Sequence, residues 1–346
     1  MPPPPPSDVR PKSHTILNLV LAAIGGALLV VTVQRVGWSE VQTGLSQVGW
    51  WFLAVLALGG IRFAARARAW MSCVRALEAH ANRTRDSAGS QPPVLRTLDF
   101  LSAVLAGDAL GNLTPLGLLA SEPAKVLIMR ARLSTTRAVA SVAVENAFYI
   151  ASVVAMLAAG AIVFLSRTNV PAALRIAGQG ILAGTVIAMF VGIASARYQP
   201  ALLSRMAHMF ASWTGKGRRS LDQLADIETE FYGVIRWPAH TIAAVLGWEA
   251  VFHLVAVTEV FLVLQLLPGG STISLADAFV LETTGRLIAV AFKFVPYRLG
   301  VDEAGTALVA RALALDPTGG VTLALIRRLR ILCWNALGLV LLARTK

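Results

Sequence analysis

Stretches of about twenty consecutive apolar residues recur along this chain, and their recurrence constrains the fold more than any other feature. "ILNLVLAAIGGALLVVTV" (16–33) is followed by a stretch opening "WWFLAVLALGG" at Trp50 and by "AVASVAVENAFYIASVVAMLAAGAIVFL" (138–165). Further runs lie around Leu174 to Ala194, at "AHTIAAVLGWEAVFHLVAVTEVFLVLQLL" (239–267) and near 320–343. Coiled as a helix, each is long enough to cross a hydrocarbon core of about 30 Å. The runs are continuous and do not alternate, which argues against a transmembrane barrel. The expected fold class is therefore all-α, a polytopic transmembrane helical bundle. Composition agrees: 56% of the 346 residues are hydrophobic and 14% charged, against about 25% charged in a typical soluble chain.

The net charge of +12 arises from 31 Lys and Arg against 19 Asp and Glu. No nucleic-acid-binding motif accompanies it. The excess reads instead as basic cytoplasmic loops that orient the helices and meet anionic headgroups. The second span runs out into Arg62, Arg66 and Arg68, and the loop to about Arg96 stays basic, so that side is expected inside. The tail "MPPPPPSDVRPKSHT" (1–15) reads as a disordered, Pro-rich cytoplasmic segment, and 16–346 as one transmembrane domain with the C-terminus also inside. Within it, 197–236 reads as a cytoplasmic linker. Leu202, Met206, Met209, Phe210 and Trp213 share one stripe there, suiting a helix on the inner leaflet, and Ser220 with Gln223 forms a capping box. Cys73 and Cys333 offer neither a disulfide framework nor a zinc spacing. With no HExxH pattern and no phosphate-binding loop, neither a metal nor a cofactor is expected.

Two apolar stretches are broken by proline. In "ALGNLTPLGLLASEPAKVLIMRARL" Pro115 precedes Glu122 by seven positions, and in "AFKFVPYRLGVDEAGTALVARALAL" Pro296 precedes Glu303 by seven. Each break follows an apolar stretch opening near an aspartate, Asp99 or Asp277, and each leads through a short helix into a long span. Basic residues flank the first on both sides, so it is expected to enter and leave the membrane on one face. The segments about 95–133 and 275–313 are thus predicted to be re-entrant hairpins, one from each side, forming an inverted repeat.

Ionisable residues inside the apolar stretches are the candidate site, because a charge at the bilayer centre costs roughly 2.5–3.5 kcal/mol on insertion scales. Glu122 is expected at the N-terminus of a half-helix whose first turn Pro123 fixes, so it either caps that helix or joins Lys125 and Arg130 in facing a headgroup. Glu303 occupies the mirrored place, with Arg298 nearby and Asp302 the better cap. Glu145 lies inside its span and needs a partner, which Arg327, Arg328 or Arg330 of the last span would supply. Pro115, Gly117, Pro123, Pro296 and Gly300 are the expected helix breaks. Glu249 and His253, four apart, read as a structural hydrogen bond. Asp108 and Asn112 share a face, and Glu282 with Arg286 reads as an i,i+4 pair.

These residues carry a resemblance. "GNLTPLGLLASEPAKVLIMRARLSTTRAVASVAVENAF" resembles the first signature of the lysylphosphatidylglycerol synthase transmembrane-region family, flippase-like membrane proteins, through Pro115, Gly117, Glu122, Pro123, Lys125, Ser141, Val142 and Glu145. The second signature is matched at Pro296, Gly300, Glu303 and Arg327 or Arg328. Asn146 and Tyr149 stand where the family often has Arg and Asp, Ser121 where glycine is usual, and Tyr297–Arg298 in place of a glycine pair. The resemblance covers about 16–344, and the aminoacyl-transferring domain of some members is absent.

The resemblance implies a stand-alone lipid transporter of the inner membrane, not an enzyme. Its expected substrate is an anionic phospholipid or an isoprenoid- or hopanoid-linked lipid, moved through a polar cavity between the two re-entrant elements. Membrane lipids are then the main partners, with a second copy of the chain or a lipid-biosynthesis protein as further contacts, and no nucleic acid. A membrane-embedded lipid-modifying enzyme and a regulatory or scaffold subunit are the competing classes.

Overall fold

The computed structural model describes residues 46, 48–84, 95–113, 117–167, 171–198, 226–267, 273–292, 298 and 300–344. Every regular element among them is helical, and the breaks fall where glycine, proline or clustered polar residues interrupt the apolar pattern. After a 3-10 turn at Gly49–Trp51 come α1 (Phe52–Thr84), α2 (Thr97–Leu113), α3 (Gly117–Met129), α4 (Thr135–Leu165) and α5 (Ala172–Tyr198). A second 3-10 turn, Gly233–Arg236, precedes α6 (Ala239–Leu266), α7 (Leu275–Ala291), α8 (Val301–Ala312) and α9 (Pro317–Arg344). The span expected at 16–33, the amphipathic stripe of 202–213, the Ser220 capping box, Pro115 and Pro296 lie outside the described residues.

Among the described residues, four stretches are long and apolar enough to cross a membrane: Gly49–His80 around α1, and the whole of α4, α5 and α6. α2 and α7 have 17 residues each, α3 has 13 and α8 has 12. They pair as two antiparallel hairpins. Gly107 of α2 faces the Lys125 side chain of α3, six residues before α2 ends and eight after α3 begins. Ile288 of α7 meets Gly305 of α8 in the same way, close to the turn. The start of α7 is fixed by a capping box in which Ser274 and Asp277 exchange hydrogen bonds. Arg167, just past α4, adds a 2.6 Å ion pair to that aspartate.

The packing repeats itself. α2 lies against α3 and also against α9, and α7 lies against α8 and also against α4. Exchanging α1 with α6, α2 with α7, α3 with α8 and α4 with α9 leaves this set of helix neighbours unchanged, with α5 alone lacking a counterpart among the described helices. α1 and α6, the two members that change places, pack on each other in opposite directions. Val55 clusters with Val260, Val263 and Leu264, whereas Leu77 near the other end clusters with Val245. The helix after each hairpin reaches back to the carboxylate that follows the break. Asn146 of α4 donates to Glu122 at 2.9 Å, and Arg328 of α9 pairs with Glu303.

Close approach depends on glycine at two crossings. Gly338 of α9 lies against the backbone of Leu105 in α2, where any side chain would meet the Leu105 carbonyl. Gly285 of α7 lies under the Arg327 guanidinium, which this absence of a side chain allows to reach across to α7. Apolar packing fills the remainder, with Trp70 and Phe100 edge-to-face at 5.0 Å joining α1 to α2.

Candidate functional site

The two hairpins and the helices beside them enclose a cavity of about 530 Å³, within the size range of small-molecule sites. Every α-helix except α5 contributes to its wall. Among the described residues seven basic side chains line it, namely Arg62, Arg66, Lys125, Arg286, Arg298, Arg327 and Arg330, against the carboxylates of Asp108, Glu122, Glu282 and Asp302. In a surrounding of apolar helices such groups are stable only when paired or wet, so their partners describe the site.

α1 supplies two arginines one turn apart. Arg66 bonds Glu145 of α4 through Nε at 3.0 Å and Nη2 at 2.5 Å, and its guanidinium stacks 4.0 Å over the Tyr149 ring. Arg62 pairs with Glu259 of α6 at 3.1 Å. Glu259 is 1% exposed and also holds Arg330 of α9 at 2.8 Å, so one carboxylate serves two guanidiniums. Glu282 of α7 repeats the arrangement: Arg286 lies at 3.0 Å on one oxygen and Arg327 of α9 on the other. Arg286 also donates to the Tyr149 hydroxyl at 3.2 Å. At the first hairpin, both Glu122 oxygens accept from Lys125 at 3.1 Å. At the second, Arg298 makes a forked contact with Asp302 at 3.1 and 3.2 Å.

A model of one known family, described as the lysylphosphatidylglycerol synthase TM region, matches residues 16–338. The chain belongs to that family. No curated protein and no solved structure matches it. The expected site residues divide in space. Glu122, Lys125, Arg298 and Arg327 line the cavity, whereas Glu145, Glu303 and Arg328 stand behind its wall as partners of other groups.

Several expectations are corrected. Glu145 is joined by Arg66 of α1, not by an arginine of α9, because α9 spends its charges on Glu259, Glu282 and Glu303. Glu122 is no helix cap: α3 already begins at Gly117, and both Glu122 and Pro123 lie inside it. The proline is the seventh of thirteen residues, where it removes one backbone hydrogen bond and its ring crowds the carbonyl four residues earlier. Arg130 is exposed beyond the end of α3 and donates to Thr135 Oγ1 at 3.1 Å, about 140° around the axis from Lys125. Asp302 caps nothing. The N-cap of α8 is Gly300, at φ 80°, and no side chain bonds the helix start.

Other readings stand as made. Glu282 pairs with Arg286, and Asn112 donates to Asp108 at 2.9 Å. The Glu249–His253 reading holds only through Ser152, which lies 2.9 Å from His253 Nε2 and donates to Glu249 at 3.5 Å in a partly buried group. Sequence reading missed Arg62 and Arg66, taken as the cytoplasmic run-out of α1. The helix continues to Thr84 and holds both at mid-length. Their i,i+4 spacing, which puts them on one face while Arg68 points elsewhere, was the available signal.

Proposed function

We propose that this family member moves an anionic lipid between the leaflets of the inner membrane, holding the headgroup in the arginine-lined cavity while the acyl or isoprenoid chains stay in lipid. One observation carries the reading: cationic side chains from both hairpins and from the helices beside them converge on a single cavity inside an apolar bundle. The two hairpins are re-entrant in this reading and enter from opposite faces, which puts the cavity near the membrane midplane. The exchangeable packing of the two halves and the opposed directions of α1 and α6 support that arrangement. Both termini are cytoplasmic, and the protein performs no chemical step on its cargo. Glu122 and Lys125 act as a gate, because their ion pair lies on the cavity wall and must open for an anion to engage the lysine.

The test is reconstitution into vesicles carrying fluorescent phosphatidylglycerol, phosphatidylethanolamine or a polyprenyl phosphate. Leaflet exchange of an anionic lipid, lost in Lys125→Ala and altered in Glu122→Ala, is the expected result. Recovery of chemically altered lipid indicates an enzyme, and intact exchange in both variants removes the cavity from the mechanism.

A further inference from the structure

We infer that the anion taken by this cavity carries two negative charges on one group, as a phosphomonoester or a pyrophosphate does, and that Arg62, Arg286, Arg327 and Arg330 are its seat. The inference rests on the lipid-transport reading only for the tail attached to that group.

The argument is one of charge accounting among fixed neighbours. Elsewhere around the cavity the ion pairs are one to one: Arg66 with Glu145, Lys125 with Glu122, Arg298 with Asp302 and Arg328 with Glu303. Among the described residues only these four arginines share, two on Glu259 and two on Glu282. The cluster is thus left two positive charges in excess. Asp108 lies on the same cavity wall but bonds Asn112 and makes no ion pair with these four arginines among the described residues, so the excess at the four guanidiniums themselves stands. Arg62 and Arg286 both approach the Phe252 ring, at 5.0 and 4.6 Å from its centre, which holds them in place and neutralises neither.

Two donors on the cavity are unmet, and Arg330 Nε, 2.8 Å from Glu259 but not aligned for a hydrogen bond, is a third buried one. Arg62 Nε and Arg286 Nη2 are buried and have no hydrogen-bond partner among the described residues. Side chains of both residues line the cavity. Unmet guanidinium donors beside surplus charge in a low-dielectric space call for an anionic acceptor with several oxygens. A phosphodiester brings one charge and leaves the cluster positive. A phosphate ester with a free terminus brings about −1.5 to −2 at neutral pH and comes close to balancing it.

Binding to the purified full-length protein in neutral nanodiscs separates the alternatives. Farnesyl pyrophosphate, dihexanoyl phosphatidate, dihexanoyl phosphatidylglycerol and inorganic pyrophosphate are compared at one ionic strength. The two lipids with a terminal phosphate are expected to bind at least about tenfold more tightly than the phosphodiester, the scale of one charge-assisted hydrogen bond. Arg286→Gln and Arg62→Gln are each expected to erase that preference. Equal binding of mono- and dianionic lipids by the wild-type protein overturns the inference without any variant, as does a preference that survives both substitutions. Inorganic pyrophosphate binding as well as farnesyl pyrophosphate supports the two-charge seat and makes it a site for a soluble anion, against the lipid reading. Absence of leaflet exchange alongside a clear dianion preference likewise overturns transport and leaves the seat in place.

Discussion

Replacing Glu259 by Gln removes one charge that fixes three helices at once. The carboxylate sits on α6, is 1% exposed, and holds Arg62 of α1 at 3.1 Å and Arg330 of α9 at 2.8 Å. The variant keeps the shape but leaves two buried guanidiniums facing a neutral amide. Breaking one side of a buried pair costs about 3–5 kcal/mol, because the remaining charge stays desolvated. Here two charges are stranded, while the neighbouring cavity allows some water to reach them, and these corrections act in opposite directions. A loss of about 3–5 kcal/mol corresponds to a fall in Tm on the order of 4–7 °C for a chain of this size. Thermal unfolding in detergent, followed by tryptophan fluorescence, reads it directly. The double variant Glu259→Gln/Arg330→Gln is expected to recover about 1–2 kcal/mol, the coupling of groups in direct contact. Asp99→Asn is the control: its 3.6 Å pair with Arg132 is partly exposed, with 45% of the arginine side chain open to solvent, so a change under about 1 kcal/mol is expected. If Glu259→Gln costs no more than that control, the sharing of one carboxylate by two arginines contributes nothing to stability, and the reasoning about the cluster fails with it.

Gly285→Ala places a methyl group against Arg327 Nη1. It should turn that arginine away from Glu282, weakening anion binding severalfold while moving Tm by less than Glu259→Gln does, as equilibrium binding and thermal unfolding together would reveal. Ser274→Ala removes the side-chain half of the α7 capping box, for an expected loss of about 0.5–2 kcal/mol in thermal unfolding. Because Ser274 lies outside the cavity wall, anion affinity should stay within twofold at temperatures where the variant is folded.

What the sequence disclosed and what it withheld follow a physical divide. The long helices were legible because a bilayer demands continuous apolar length, and the hairpins because proline and glycine interrupt that length at matched places. Short-range ion pairs were legible too: Glu282 with Arg286 lies one turn apart, so helix geometry alone sets the meeting. Long-range partners were not. Glu145 and Arg66 are 79 positions apart, and which face of α4 turns toward α1 depends on packing that no single helix encodes. Arg62 and Arg66 were misplaced for a related reason. Arginine near the end of an apolar run usually marks a loop, and only a helix carried on to Thr84 returns both to the interior.

The three arginines of α9 bear on how this chain is built. Arg327, Arg328 and Arg330 fall within four residues of one helix, and α9 is not among the helices apolar enough to cross a membrane by themselves. At roughly 2.5–3.5 kcal/mol for each arginine at a helix centre, its entry as a lone segment is strongly opposed. The carboxylates that receive them, Glu259, Glu282 and Glu303, all come earlier in the chain, on α6, α7 and α8. Synthesis therefore lays down the receptors before the segment that needs them. Among the described helices, the counter-charges for α9 are thus already in the chain when its arginines are made.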